Sequence, residues 1–337
     1  MSHARHPLSF AQRRLWFLQE ADPGSPAYNV VLVFQIRGAL DRAALSASLL
    51  DVIERHEALR LEFVGSGPDV EQAAAPSRDE PPLEIIEVPW AALDAATRRV
   101  SSRPFDLQTE APVRAALLVA GEAEHRFVLV LHHIVMDIGS RGPLLRDLAA
   151  AYTARCDGVS PRFEPIEARY EDYVEWQRRM LGDPADEQSR AGEQLAFWRR
   201  TLAGLPEELA LPYDRPRSDD ARHEVGRVEF DVSAETHAKL LALARATRSS
   251  PFMVGHAALA ACLCCIGAGT DIPIGTPFAG RMEDFQGVVG LFINSLVLRI
   301  DLSDDPTFEE AIRRARPRGR AQPAVPNHVY VAECVIR

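Results

Sequence analysis

Lysine is almost missing from this 337-residue sequence: of 38 basic residues only Lys239 is a lysine, and the rest are arginine. That bias, together with abundant alanine, points to a GC-rich coding sequence and carries no chemical information. Positive charge is also in deficit, with 38 Lys and Arg against 48 Asp and Glu and a net charge of −10. Such a surface is a poor electrostatic match to nucleic acid or anionic lipid. Cysteine is scarce and odd in number: Cys156, Cys262, Cys264, Cys265 and Cys334. No pair has zinc-finger spacing with a second half elsewhere, so no metal is expected, and the usage fits a reducing, cytoplasmic compartment. Cys262, Cys264 and Cys265 fall in one apolar helical run and are expected to pack in a core. No apolar run approaches the ~20 residues that span a bilayer, and MSHARHPLSF has no apolar signal-peptide core. A G-x-x-x-x-G-K-[ST] phosphate loop, a G-x-G-x-x-G after a strand and a G-x-S-x-G elbow are likewise missing.

What is present is an ordinary globular composition, 47% apolar and 26% charged. At about 100–200 residues per domain the length allows two domains. Strand and helix signals alternate. NVVLVFQI, LEIIEV, VRAALLVAG and RFVLVLHHIV read as strands, the last two joined by the turn GEAEH. DRAALSASLLDVIERHEAL has helical spacing behind an Asp cap, and YEDYVEWQRRML and EQLAFWRRTLAG are amphipathic helices. A helix is expected after Ser140, with Pro143 in its first turn. LPYDRPRSDDARH reads as a linker. Beyond it the pattern restarts: strand RVEFDV, helices AETHAKLLALARAT and PFMVGHAALAACLCC, strands DIPIGTP and LFINSLVLRI, helix PTFEEAIRRA. The restart implies two similar mixed α/β lobes.

LHHIVMDIGS, Leu131 to Ser140, holds the sharpest chemical signal. Two histidines end an apolar strand, and Asp137 follows His133 by four residues. Side chains alternate along a strand, so His132 and His133 are expected on opposite faces, one of them toward a cavity. Imidazole, with an ordinary pKa near ~6.5, suits proton abstraction near neutrality. On spacing alone a core histidine beside a capping aspartate explains the residues equally well. In SFAQRRLWFLQE the aromatic/Gln pairs are a functional candidate, while Leu15, Trp16 and Leu18 read as a buried helix face.

Five ordered motifs together resemble the condensation domain of non-ribosomal peptide synthetases, across roughly residues 7–313. LHHIVMDIGS is similar to that family's His-His-x-x-x-Asp-Gly motif. SFAQRRLWFLQE (Ser9 to Glu20) resembles its first core motif and RHEALRLEF (Arg55 to Phe63) its second. YEDYVEWQ (Tyr170 to Gln177) resembles the fourth, and IGTPFAGR (Ile274 to Arg281) with GLFINSLVLR (Gly290 to Arg299) the fifth. Two departures stand out. Ile138 occupies the place of the motif glycine, with Gly139 one position later, so the turn after Asp137 is expected to differ. The family's later His-Gln-Asp and Pro-Leu-Phe-Gln segments are not found after Ala315, where the Arg/Pro-rich ARPRGRAQPAVPNHVYVAECVIR looks foreign.

The resemblance implies a mixed α/β fold of two chloramphenicol-acetyltransferase-like lobes in a V, the second incomplete. The expected divisions are a lobe at 1–181, a linker and connecting helix at 182–220, a partial lobe at 221–313 and an atypical tail at 314–337. It implies amide formation between donor and acceptor thioesters carried on the phosphopantetheine arms of upstream and downstream carrier proteins, with an adenylation domain as neighbour. No bound cofactor and no metal are implied. His133 would act on the attacking amine, with His132 supporting the motif. Asp137 would be structural and paired with Arg60 or Arg281, and backbone N–H groups near Gly139 would serve as oxyanion donors. Trp16 and Asn294 complete the expected set lining the site. A chain lacking the later segments is expected to be weakly active. Two other classes stay open: a non-catalytic recruitment module, and a stand-alone acyl-CoA-dependent acyltransferase.

Overall fold

Four apolar segments with β-branched character make the central sheet of the first unit. The computed structural model describes residues 5–77, 80, 82–206, 208–214 and 228–315. The chain divides into two compact units, Met1–Ala191 with Ala279–Ile293, and Gly192–Phe278 with Asn294–Arg337. Along the first unit run β1 (His6–Pro7), α1 (Phe10–Ala21), β2 (Asn29–Arg37), α2 (Arg42–Arg55), β3 (Leu61–Val64) and β4 (Glu71–Ala74). They are followed by β5 (Leu83–Glu87), α3 (Leu93–Ser101), β6 (Val113–Val119), β7 (Glu124–His132), α4 (Arg141–Cys156) and α5 (Tyr170–Leu181).

The main sheet has the order β2-β7-β6-β5, antiparallel except for the parallel β5–β6 pair. β6 and β7 are buried along nearly their whole length, as near-continuous apolar runs covered on both faces should be. The register places Asn29 opposite His132, so the first histidine is the last paired residue of β7. A smaller sheet, β1-β4-β3, lies in the same unit. Caps act where the sequence places them: Asp41 accepts from Ala44 N at 2.8 Å to start α2. Ser9 and Gln12 form a capping box on α1.

The second unit contains most of α6 (Arg190–Thr201), then α7 (Ala234–Ala246), α8 (Pro251–Cys265), β8 (Asp271–Ala279), β9 (Ile293–Asp301) and α9 (Phe308–Arg314). β8 and β9 pair as a two-stranded sheet over a core of Ala244, Val254, Ala257, Ala260, Ile272, Ile300 and Ile312.

Several expectations change here. Residues 228–232 of RVEFDV are not a strand; Val228, Phe230 and Val232 are exposed and pair with no strand among the described residues. The cysteines of α8 are not core: Cys262 and Cys265 are exposed and Cys264 is half-buried. The buried stripe of that helix is Val254, Ala257 and Ala260, and Cys262 and Cys265 turn away from it. Residues 279–293, expected inside a 221–313 lobe, pack with the first unit, because Phe285, Leu291 and Phe292 complete its core. Most of LPYDRPRSDDARH, the tail from 316 onward and Cys334 lie outside the described residues.

Gly290 is one position where only glycine fits. A Cβ there would lie 2.1 Å from Cδ2 of Tyr170. The Tyr170 ring cannot retreat, since its hydroxyl donates to Leu291 O at 2.8 Å and meets Ser9 Oγ at 3.1 Å. Gly290→Ala should therefore sharply lower the soluble yield and the melting temperature, whereas Gly287→Ala, which would meet nothing within 4 Å, should leave both unchanged.

Candidate active site

The site is built where β7 ends. Strand alternation does not separate the two histidines: β7 stops at His132, and His133–Val135 form a single 3-10 turn. His132 is the cap of that turn. It is 1% exposed, and its Nδ1 accepts from Ile134 N at 3.1 Å while Nε2 meets Gln19 Oε1 at 3.2 Å. Phe105 stands edge-on to the ring at 5.8 Å between centroids. Burial, then the neighbouring His133 and Arg114, push the His132 imidazole down to about 3, so it is neutral at physiological pH.

His133 is only half-buried, and its backbone N–H donates to Tyr28 O at 2.8 Å. Its Nδ1 is buried without a hydrogen-bond partner among the described residues. That leaves Nε2 as the ring nitrogen open to a substrate. Beneath the turn, Gln12 Nε2 donates to Ile134 O at 3.3 Å and exchanges amide bonds with Gln72 at 2.8 and 3.0 Å. Gln12 belongs to the aromatic/Gln pairs of SFAQRRLWFLQE and recurs at a period that also carries Leu15 and Trp16, whereas Gln72 has no such signal in the sequence.

Asp137 is 5% exposed and accepts five hydrogen bonds. Oδ1 takes Arg281 Nη2 at 2.8 Å, Ser140 N at 3.0 Å and Ser140 Oγ at 3.0 Å. Oδ2 takes Phe292 N at 2.9 Å and Ile293 N at 3.1 Å. The carboxylate thus ties the motif turn to residues 281–293. Arg281 gives three further N–H groups to Phe285 O, Val288 O and Ser140 Oγ, keeps its Nε buried without a partner among the described residues, and lies over the Phe292 ring, 4.0 Å from its centroid. The single Ser140 hydroxyl proton is shared between Asp137 Oδ1 and Gly290 O at 2.8 Å, and Oγ accepts from Gly290 N at 3.0 Å. It therefore precedes α4 without capping it by its side chain.

Of the two arginines expected near Asp137, only Arg281 reaches it. Arg60 instead donates to Ala75 O, at the start of β3 and the end of β4. Trp16 is a core residue, 2% exposed, with its ring 5.6 Å from that of Phe63. Asn294 lies on β9, where its Oδ1 accepts from Ser295 N at 2.8 Å. Ile138 carries no backbone penalty: positive φ among non-glycine residues is confined to Arg248, Asp304 and Asp305 among those described. Gly139, not position 138, is where a side chain fails, because a Cβ would sit 2.8 Å from Arg281 Nε. Ser140 N, one of the expected oxyanion donors, is already used by Asp137.

A second charged cluster lies apart from this turn. Asp147 accepts from Arg55 Nε at 2.6 Å and bonds His56 Nε2 at 3.1 Å, at the edge of a cavity of about 700 Å³ lined by Arg60 and Phe163. Burial raises the Asp147 carboxyl, but the bonds and charges of His56 and Arg55 outweigh it and hold it down at about 2. A carboxyl depressed in the fold stabilises above its unfolded pKa near ~3.9, and that stability goes as pH falls through the folded value. The melting temperature should thus drop by several degrees between about pH 4 and 2. Asp147→Asn should be less stable at neutral pH and flatter across that window, as read by thermal melts; an equally steep profile would refute the assignment.

Residues 3–322 match the condensation-domain family. A probable non-canonical nonribosomal peptide synthetase of Salinispora arenicola, CymA, is 48% identical over 312 residues, which is 92% of this chain and 4% of that protein. A dimodular nonribosomal peptide synthase of Bacillus subtilis is 45% identical over 312 residues, again 92% of this chain and 13% of the relative. This chain therefore spans a small part of the proteins it matches. Among solved structures, a chain in the complex of the X-domain and OxyB from teicoplanin biosynthesis superposes with a TM-score of 0.88 at 33% identity. That match covers 100% of this chain and 73% of the other. No described helix is long and apolar enough to cross a membrane. With the family match covering nearly its whole length and the His-His-x-x-x-Asp turn built as described, the chain belongs to the condensation-domain family of the nonribosomal peptide synthetases.

Proposed function

We propose that this chain forms an amide bond between a donor acyl or peptidyl thioester and an acceptor aminoacyl thioester, both delivered on the phosphopantetheine arms of carrier proteins. The observation that carries the reading is the turn itself. His132 and Asp137 are buried and fully bonded, and His133 between them keeps one ring nitrogen free. In the reaction the acceptor amine attacks the donor carbonyl carbon, the C–N bond forms and the C–S bond breaks. His133 Nε2 takes the proton that the attacking nitrogen loses and returns it to the leaving thiolate, or holds the amine in line for attack. The exposed Gly139 remains the candidate for a backbone donor to the developing oxyanion. Asp137 and Arg281 act as positioning residues. Upstream and downstream carrier proteins are the partners, with an adenylation domain as neighbour, and no cofactor of its own enters the scheme.

A second reading is favoured by one observation. The X-domain chain that superposes so well comes from a complex with OxyB. By likeness this chain would recruit a partner protein without chemistry. One assay separates the two readings. Donor and acceptor are loaded on their carrier proteins, mixed with the chain, and the carrier-bound product is released and weighed by mass spectrometry. Amide product above the uncatalysed background supports condensation. Background-level product, with the carrier proteins still retained on the chain, supports recruitment instead.

A further inference from the structure

The turn that presents His133 depends on which nitrogen of His132 carries the proton. Ile134 N–H points at His132 Nδ1 from 3.1 Å, so Nδ1 must be an acceptor. The single N–H of the neutral ring is then on Nε2, facing Gln19 Oε1 at 3.2 Å. The orientation of the Gln19 amide is fixed in turn. Its Nε2 donates to Phe105 O at 3.0 Å and to Pro23 O at 3.4 Å, which leaves Oε1 toward His132. Gln19 is buried, so its bond to His132 is made inside the fold. With the proton on Nδ1 instead, Ile134 N–H would face a donor, and Gln19 Oε1 would lose its own. Both groups would then be buried and unpaired, and the turn would open at its first bond.

We propose that Gln19 is a positioning residue, which holds His132 in its Nε2–H tautomer and through that cap sets the turn carrying His133. The proposal rests on the reading of His133 as the group that meets the amine, and it adds a residue on α1 that touches neither substrate nor His133. Among the described residues, the titratable and charged groups facing His132 are Arg114 of β6, Tyr28 ahead of β2 and His133. These offer it no carboxylate, so an acidic side chain at position 19 would be a new one.

The test has one readout that needs no catalysis. In chain labelled with 15N-histidine, long-range proton–nitrogen spectra report the tautomer of His132, assigned by its loss in His132→Asn. The unaltered chain should show a neutral Nε2–H ring throughout about pH 5 to 8. Gln19→Met, of the same length but without the acceptor, should show a mixture of tautomers. Gln19→Glu, which keeps an acceptor and adds a charge, should show His132 taking up a proton within that range. In the carrier-bound assay Gln19→Met should lose at least about tenfold in kcat at an unchanged KM. Gln19→Glu should recover the rate near pH 8 and lose it toward pH 5 along a limb that the unaltered chain lacks. An unmixed Nε2–H ring in Gln19→Met overturns the proposal, and so does a mixed ring with unaltered kcat. Product at background from the unaltered chain overturns the catalytic reading instead, and the spectra still decide whether Gln19 holds the tautomer.

Discussion

Replacing His133 with alanine should lower the rate of amide formation by about 10²–10⁴-fold while leaving the melting temperature nearly unchanged. The two halves of that expectation come from different atoms. The rate falls because Nε2 is the one ring nitrogen of the motif left open to a substrate. Stability is kept because the side chain makes no hydrogen bond within the fold: its Nδ1 is buried and unpartnered among the described residues. An unpaired buried ring N–H costs about 1–3 kcal/mol, so its removal does not weaken the structure. The bond that fixes the position of the residue, from its backbone N–H to Tyr28 O, survives the substitution. His132→Ala should instead lower the melting temperature along with the rate, since it removes the cap of the turn that carries His133 and opens a hole beneath Phe105. Single-turnover rates and melting curves for both variants decide the matter. If His133→Ala keeps more than about a tenth of the rate, the imidazole is not the working group.

How far the sequence foretold this site can be judged from its parts. β2, β6 and β7 were legible because β-branched runs of that length, broken by polar turns, have few other solutions. α2 was legible from its period and its Asp cap, and α5 from its period alone. Asp137 as an anchor was legible, since it falls just past a strand with arginines in neighbouring motifs. Its partner was not: Arg281 lies 144 residues away along the chain, and only the fold decides between it and Arg60. The separation of the histidines was reached by the wrong route. Alternation would put them on opposite faces, but the strand ends at His132 because the next N–H turns to Tyr28 O and Ile134 N–H turns back to the imidazole. A side-chain cap of that kind leaves no periodic trace. Ile138 misled for a related reason. The motif glycine suggested a left-handed residue, whereas the glycine that matters, Gly139, is required by the closeness of Arg281 and not by φ. RVEFDV alternates as a strand should, but a strand also needs an edge to pair with, which local pattern does not report.

Asp137→Ala should be the most damaging single change at the site to the fold itself. Removing the carboxylate leaves the Arg281 guanidinium 7% exposed and without its counter-charge. Breaking a buried pair on one side costs about 3–5 kcal/mol. The same change strips an acceptor from Ser140 N, Phe292 N and Ile293 N, which lie on two segments about 150 residues apart along the chain. At about 2–4 °C per kcal/mol for a unit of this size, the melting temperature should fall by roughly 6–20 °C, with loss of soluble yield. Asp137→Asn should also destabilise. If its amide oxygen stays on Arg281 and Ser140, its NH₂ faces the donors Phe292 N and Ile293 N. A purely chemical role for Asp137 would leave the Asn variant stable and inactive, so one melting curve separates the two roles. The partner change completes the test. Arg281→Met alone should also destabilise, by leaving Asp137 short of its counter-charge. Added to Asp137→Ala, however, it should cost far less than the sum of the two, because the charge that made the first change so damaging is gone. Additive losses would show that the two side chains do not act as a pair, and the anchoring role assigned to Asp137 would fall with them.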